Sequence, residues 1–180
     1  MTDQGTLDAV LLAVRIAAGL TLAAHGYQKV FLGGRIPGTA GWFESLGMRP
    51  GRLHAVLAAA TELASGLGFA LGFLTPLTAA GCVGVMTVAA WTHKDAFFVF
   101  KDGWEYNLVL AVVFVLVATT GPGRWSVDHA LGIDADLDGG VGLAISALGL
   151  VAAVGLLAVF WRPAPAEAAD GAGADAGTER

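Results

Sequence analysis

LHAVLAAATELASGLGFALGFLTPLTAAGCVGVMTVAAWT, residues Leu53 to Thr92, holds one formally charged side chain, Glu62, in two apolar runs that meet at Thr75-Pro76. A helix rises 1.5 Å per residue and needs about 20 residues to cross a hydrocarbon layer of about 30 Å. Leu53 to Leu74 and Pro76 to Thr92 are each of that order. Proline stops one helix and suits the first turn of the next, so the two runs are expected to form a tight antiparallel hairpin. Working outward, Leu7 to Gly26 precedes this hairpin, and about Gly103 to Gly121 and Gly140 to Trp161 follow it. Leu108 to Gly121 alone is short for a crossing, so the fourth span recruits Trp104, Glu105 and Asn107. The expected fold is therefore all-α, a polytopic membrane helix bundle.

Composition agrees. Of the 180 residues, 56% are hydrophobic before the 26 glycines are added, where a soluble domain has roughly 45–50% with glycine included. A soluble bundle would place charges on one face of every helix, and Leu77 to Thr92, Leu108 to Thr120 and Val141 to Trp161 have none. The net charge of -5 comes largely from one loop and the C-terminal segment, which leaves no basic footprint for nucleic acid. Cys82 is the single cysteine, so neither an internal disulfide nor a dithiol motif is possible. The N-terminus lacks the positive region of a secretory signal and Ala23-Ala24-His25 is a poor cleavage site, so the first span is read as retained.

Orientation follows Lys and Arg in short loops. Lys29, Arg35, Arg49 and Arg52 flank the first loop, Lys94 and Lys101 lie in the third, and Arg162 follows the last span, against Arg124 alone on the other side. This predicts a multi-pass protein of the bacterial inner (plasma) membrane with its N-terminus outside and its C-terminus cytoplasmic. Trp91, Trp104 and Trp161 then mark the cytoplasmic interface and Trp125 the opposite one. Residues 1–6 read as a short tail, 7–131 as a four-helix core with an interfacial loop at 28–52, and 132–162 as a linker and an added fifth transmembrane helix. Within the loop, Gly41 to Met48 is expected to form a short interfacial helix with Trp42, Phe43 and Leu46 on one side. The Ala, Gly, Asp and Glu of residues 163–180 read as a disordered tail.

Ionisable groups inside such spans cost about 2.5–3.5 kcal/mol on insertion scales and are normally paired, cavity-facing or functional. Arg15 lies ten residues before His25, and Glu62 nine after Leu53, which sets both about 14–15 Å from one edge and predicts an Arg15 to Glu62 ion pair. Whether that pair fixes helix register or serves chemistry stays open. His25, Lys29, His93, Glu105 and Asn107 gather nearer the cytoplasmic edge, from four segments. Glu105 and Asn107 are about 200° apart on a regular helix, so Asn107 shares a face with Trp104 and Glu105 is placed in the first turn, where the dipole favours a carboxylate. The plain alternatives are that Lys29 snorkels to the headgroups and that His54 and His129 flank loops without a special role. Gly68 to Gly72 is a G-x-x-x-G, and Gly81 and Gly84 share a stripe, which suits close helix packing. No H-E-x-x-H, C-x-x-C or carboxylate triad is present, so no metal site is expected.

In order along the chain, several short signatures resemble the DoxX family of small bacterial membrane proteins. They are Arg15 with Ala24-His25-Gly26-Tyr-Gln-Lys29; Trp42-Phe43-Glu-Ser-Leu-Gly47; Thr61-Glu62-Leu-Ala-Ser-Gly66; Leu71-Gly72-Phe-Leu-Thr75-Pro76; His93; Gly103-Trp-Glu-Tyr-Asn107; and Gly121-Pro-Gly-Arg-Trp-Ser126-Val-Asp128. They run from Leu11 to about Leu131. The resemblance implies a four-helix core, from which the fifth span departs, and a link to redox metabolism through the DoxD-type membrane subunit of thiosulfate:quinone oxidoreductases. It also implies that Arg15, His25, Lys29, Glu62, His93, Trp104, Glu105 and Asn107 match the family's polar and aromatic positions.

Three functions compete. In a quinone-linked membrane subunit, Glu62, His25 and His93 handle protons. Arg15, Lys29, Trp104, Glu105 and Asn107 bind the quinone or another small ligand, with Trp104 stacking on the ring. The sequence has no haem, flavin or iron–sulfur motif and its lone thiol cannot run a two-thiol cycle, so electrons would come from a partner. A non-catalytic scaffold would instead recruit soluble redox enzymes through the cytoplasmic loops and the tail. A small transporter or lipid-binding protein is the third reading, although five helices without paired broken segments do not resemble an inverted repeat. Electron donor, partner identity and oligomeric state are not encoded in any motif.

Overall fold

The computed structural model describes residues 3–162, and within them every element is helical. Helix α1 spans Gln4–Phe31, α2 Arg35–Ser45, α3 Gly51–Leu71, α4 Thr75–Thr92, α5 Glu105–Thr120, α6 Val127–Ala130, α7 Asp134–Leu137 and α8 Gly139–Phe160, with a 3-10 turn at Val99–Lys101. Helices α1, α3, α4 and α8 are long and apolar enough to cross a membrane, and α5 is a shorter apolar helix. The chain is a polytopic helical membrane protein. The acidic segment at 163–180 lies outside the described residues.

Two expected boundaries move. Helix α1 starts at Gln4 and runs past Gly26 to Phe31 without a break, because Tyr27 to Phe31 contains no breaker and keeps the apolar alternation of a helix end. The amphipathic turn expected at Gly41 to Met48 is the second half of α2, which begins at Arg35. Trp42 and Phe43 do not share a side: Phe43 is 4% exposed and Trp42 43%. Adjacent residues on a helix point about 100° apart, and here only Phe43 turns toward Met48 and Ala55.

Helices α1, α3, α4 and α5 run alternately up and down, and α8 packs along α4 and α5. Small residues set the spacing. A Cβ on Gly19 would come within 2.5 Å of the Gly66 carbonyl oxygen, and one on Gly66 within 2.6 Å of Gly19, so the α1 and α3 backbones touch where those glycines meet. The expected G-x-x-x-G does not form that seam. Gly68 faces Thr78, and Gly72 caps α3 in the left-handed conformation, φ 64°. One core cluster joins Leu22 of α1, Phe69 of α3, Met86 of α4 and Phe114 of α5, with Phe69 and Phe114 edge to face at 4.8 Å.

The two ends of the bundle differ in charge and in how they are tied. Lys29, Arg35, Arg49, Arg52, Lys94, Lys101 and Arg162 all fall at one end, the basic end, while Asp8, Asp128, Asp134, Asp136 and Asp138 fall at the other. At the acidic end, Asp128 accepts from the Leu74 N–H (2.6 Å), the Thr75 N–H (2.8 Å) and the Thr75 hydroxyl (2.6 Å). It thus caps the first orphan N–H groups of α4 from a distant loop and holds Leu74 at φ 46°, a conformation that a branched side chain rarely adopts. Asp8, 1% exposed, accepts from the Arg124 backbone N–H at 3.0 Å and its Nε at 2.6 Å. At the basic end, Met48 pairs with Trp161 in an isolated antiparallel bridge, and the Trp161 Nε1–H donates to the Leu46 carbonyl at 3.1 Å. The last helix is therefore fastened to the linker that precedes α3.

Candidate functional site

The α1–α3 register decides which charges meet. Gly19 lies against Gly66 and Ala70, and Gly26 against Ala59 and Leu63, so Glu62 is level with the His25 region and Arg15 with the far end of α3. The expected Arg15 to Glu62 pair does not form. Counting from His25 and Leu53 as level ends sets the two charges at one depth, but α1 continues to Phe31 before the chain turns back and overlaps α3 further, so that Arg15 lies beside Gly72 rather than Glu62. Instead, Lys29 Nζ donates to both oxygens of Glu62 at 2.8 Å, with side-chain exposures of 23% and 6%. Lys29 does not snorkel to headgroups; it reaches into the bundle. Arg15 is fully buried near the acidic end, where its Nη2 donates to the Trp125 carbonyl beside Asp128. Its Nε and Nη1 have no partner among the described protein atoms. It ties the loop after α5 to the first helix.

The Lys29–Glu62 pair borders a cavity of about 820 Å³ lined by α1, α2, α3, α4, α5 and α8. The lining follows helix periodicity: His54, Leu57, Ala58, Thr61, Glu62 and Ser65 on α3, Leu77, Ala80, Gly81, Gly84, Val88 and Thr92 on α4, and Ile145, Leu148, Gly149, Ala152 and Leu156 on α8. Spacings of three and four residues place each set on one face. From Leu77 to His93 along α4 the cavity is about 24 Å long. Its polar groups are unevenly spread. His25, Lys29, His54, Glu62, His93, Asp102 and Asn107 lie in the half nearer the basic end, and the far half is lined by Leu77, Ala80, Gly81, Ile145 and Leu148, with the Ser65 hydroxyl beside Gly81 as its polar group.

Five of the eight residues singled out in the sequence line this space: His25, Lys29, Glu62, His93 and Asn107. His93 caps α4, with Nδ1 at 2.8 Å from the Ala89 carbonyl and 3.0 Å from the Thr92 hydroxyl. A carbonyl oxygen only accepts, so the Ala89 contact puts the ring hydrogen on Nδ1 and leaves Nε2 as the basic nitrogen. Asn107 is 8% exposed in the first turn of α5. The other three lie elsewhere. Arg15 is at the opposite end. Glu105 is the first residue of α5 and accepts from the Val99 N–H at 3.2 Å, bracing the 3-10 turn. Trp104 precedes the helix with φ -91° and ψ 0°, so helical phase does not relate it to Asn107. Its ring packs edge-on to Phe97 at 5.1 Å and borders a separate groove of about 270 Å³ near Trp91 and Lys94. It is not placed to stack on a ring inside the main cavity.

Sequence reading passed over His54, which is 3% exposed and lines the cavity. The signal was available: His54, Ala58, Thr61, Glu62 and Ser65 form one polar and small-residue stripe at helical spacing on an otherwise apolar span. No three His, Cys, Asp or Glu residues among those described come together in a way that would hold a metal ion.

A family model described as DoxX matches residues 10–95. The inner membrane protein YqjF of Escherichia coli (strain K12) is 30% identical over 126 residues, covering 69% of this chain and 93% of that protein. No solved structure matches significantly. Most of α1 and all of α2, α3 and α4 fall within the family match, and α5 and α8, which complete the cavity wall, lie beyond it.

Proposed function

Because the chain belongs to the DoxX family of membrane proteins, we propose that it acts as the quinone-interacting membrane subunit of a thiosulfate or thiol oxidoreductase complex. Its place would be the bacterial inner (plasma) membrane, with the basic end cytoplasmic and the N-terminus outside. The observation that carries this reading is the polarity of the cavity. Its volume is within the range of about 300–1,000 Å³ usual for small-molecule sites, and it is polar at one end and apolar at the other. Lys29 and Glu62 neutralise one another, and the cavity lining holds no unpaired Lys or Arg among the described residues. A phosphate headgroup would find no free cation there. A neutral ring bearing hydrogen-bonding oxygens, with a hydrocarbon tail along Leu77, Ile145 and Leu148, suits both halves.

Quinone supplies the capacity to take up two electrons and two protons; the chain supplies binding and proton handling. His93, at the basic end with Nε2 free to exchange a proton, links the cavity to water on that side. Asn107 offers a donor and an acceptor that orient a carbonyl. Glu62, held by Lys29, keeps a carboxylate within the low-dielectric space, where its field on a nearby reacting group is strong. Electrons come from a soluble partner docked at the basic end. The test is reduction of a short-chain quinone by thiosulfate or a thiol donor, using the protein with its co-purified partners. Glu62→Gln and His93→Ala should each slow turnover. Failure of every combination to turn over, or full activity in both variants, sinks the proposal.

A non-catalytic scaffold is favoured by a different feature, the Phe97–Phe100 loop at the basic end, where Phe98 and Phe100 stack and Phe100 is 76% exposed. A photo-crosslinking residue at position 100 should then capture a soluble redox enzyme, and Glu62→Gln should leave the capture intact.

A further inference from the structure

His54 is a buried polar residue of the cavity wall to which the proton route above gives no task, and its surroundings point to a ligand. Its ring is wedged between Phe43 of α2 at 5.9 Å and Phe160 of α8 at 5.1 Å, the latter edge-on. The aromatics fix the ring plane from two sides, so it cannot swing out to the basic face. The residue is 3% exposed, and its Nε2 is buried with no hydrogen-bond partner in the described protein. Buried polar groups are satisfied in the great majority of cases, and the exceptions mark an absent water, ion or ligand. The residue that carries this nitrogen lines the cavity, in its polar half.

We propose that His54 Nε2 is the hydrogen-bonding contact for one oxygen of a neutral, lipophilic carbonyl or hydroxyl ligand, and that this contact sets where the ring stops within the cavity. The inference rests on the quinone reading and deepens it. His54 precedes Glu62 by eight residues on one face of α3, about 12 Å along the axis. A ring held at His54 therefore lies on the basic side of the Lys29–Glu62 pair, in the same half as His93. The imidazole Nε2 donates to a carbonyl in one neutral tautomer and accepts from a hydroxyl in the other, so with a change of tautomer it serves both redox states of such a ligand without a change of charge. Phe43 and Phe160 make α2 and the end of α8 the supports of this contact, which gives the Met48–Trp161 bridge between them a role in binding geometry.

The experiment uses the full chain in lipid nanodiscs and a benzoquinone with a single isoprene unit as the probe. Binding is followed by quenching of tryptophan fluorescence, to which Trp42 in the cavity wall is well placed. His54→Phe keeps an aromatic of similar shape and removes the nitrogen. It should weaken binding about tenfold, the equivalent of one net hydrogen bond, while the thermal midpoint without ligand holds or rises because an unsatisfied buried polar atom has been removed. His54→Gln should recover most of the affinity. In the unaltered protein labelled with ¹⁵N-histidine, the His54 Nε2 resonance should move on titration, a readout that survives any folding defect of the variants. If the unaltered protein does not bind the probe, the quinone reading fails and takes this inference with it. If it binds, but His54→Phe binds equally well or the Nε2 resonance stays in place at saturation, the contact alone is overturned and the buried nitrogen is simply hydrated.

Discussion

The Lys29–Glu62 pair can be weighed by a double-mutant cycle. Removing one partner of a buried ion pair costs about 3–5 kcal/mol because the other charge is left uncompensated. Glu62 is the deeper group, 6% exposed against 23% for Lys29, so the two single changes should differ. Lys29→Met strands a carboxylate in a low-dielectric wall and should cost about 3 kcal/mol, near the lower bound for such pairs. Glu62→Gln leaves an ammonium on a flexible stem that can retreat toward the basic end, and should cost about 1–2 kcal/mol. With both charges gone, the double variant should lose no more than about 1–2 kcal/mol, which gives a coupling of about 2–3 kcal/mol. Denaturant unfolding in detergent micelles, followed by tryptophan fluorescence, reads all four corners. Arg15→Met combined with Glu62→Gln is the control, and it should be additive because Arg15 of α1 lies beside Gly72, past the end of α3, while Glu62 is near the middle of that helix. Additivity within about 0.5 kcal/mol for Lys29 and Glu62, or strong coupling between Arg15 and Glu62, would refute the register described above.

Three further outcomes follow from the packing. Gly66→Val drives a branched side chain into the α1 backbone, where a Cβ already lies 2.6 Å from the Ala23 nitrogen; a loss of about 3 kcal/mol or more is expected, read as a fall in the unfolding midpoint. Asp128→Ala removes three hydrogen bonds that restrain Leu74 and cap α4, so proteolysis at the α3–α4 turn should become detectable and stability should drop by about 3 kcal/mol. The His129–Asp134 contact, 2.7 Å, holds the Asp134 carboxyl below the usual carboxylate range through the side-chain hydrogen bond. A depressed carboxylate pKa stabilises above the unfolded value and that contribution is lost as pH falls through the folded one. Unfolding midpoints of the unaltered protein and Asp134→Asn should thus converge below about pH 4, and a gap that widens on acidification would contradict the assignment.

The spans were legible because membrane insertion writes itself into sequence as long uncharged runs, and Pro76 marks the one tight turn between two of them. The gathering of His25, Lys29, His93 and Asn107 was legible too, since edge depth can be counted from span ends, although the same count included Glu105 and set Glu62 deeper, with Arg15. Pairing was not. It depends on where α1 stops and how far α3 overlaps it, and Tyr27 to Phe31 reads equally well as interface or helix, so Arg15 was set level with Glu62 when it lies beside Gly72. Trp104 was misplaced for a related reason, because phase was extended through a residue whose backbone has not yet entered the helix. Asp8 and Asp128 left no local trace at all. Each is an unremarkable acidic residue near a span end, and its partners, Arg124 in one case and the Leu74–Thr75 turn in the other, come from distant parts of the chain. The placement of His54 in the cavity wall was legible in its stripe on α3, although nearness to a loop drew attention away from that periodicity.

Helix α8 contributes a whole side of the central chamber while standing outside the stretch that matches the family. A relative lacking such a segment would present the same trough unroofed to the acyl chains, and a hydrophobic guest would slip in and out sideways. Here that side is covered by helix, and its cover is bolted at Trp161, so the wall of the chamber depends on one appended segment and its final tryptophan.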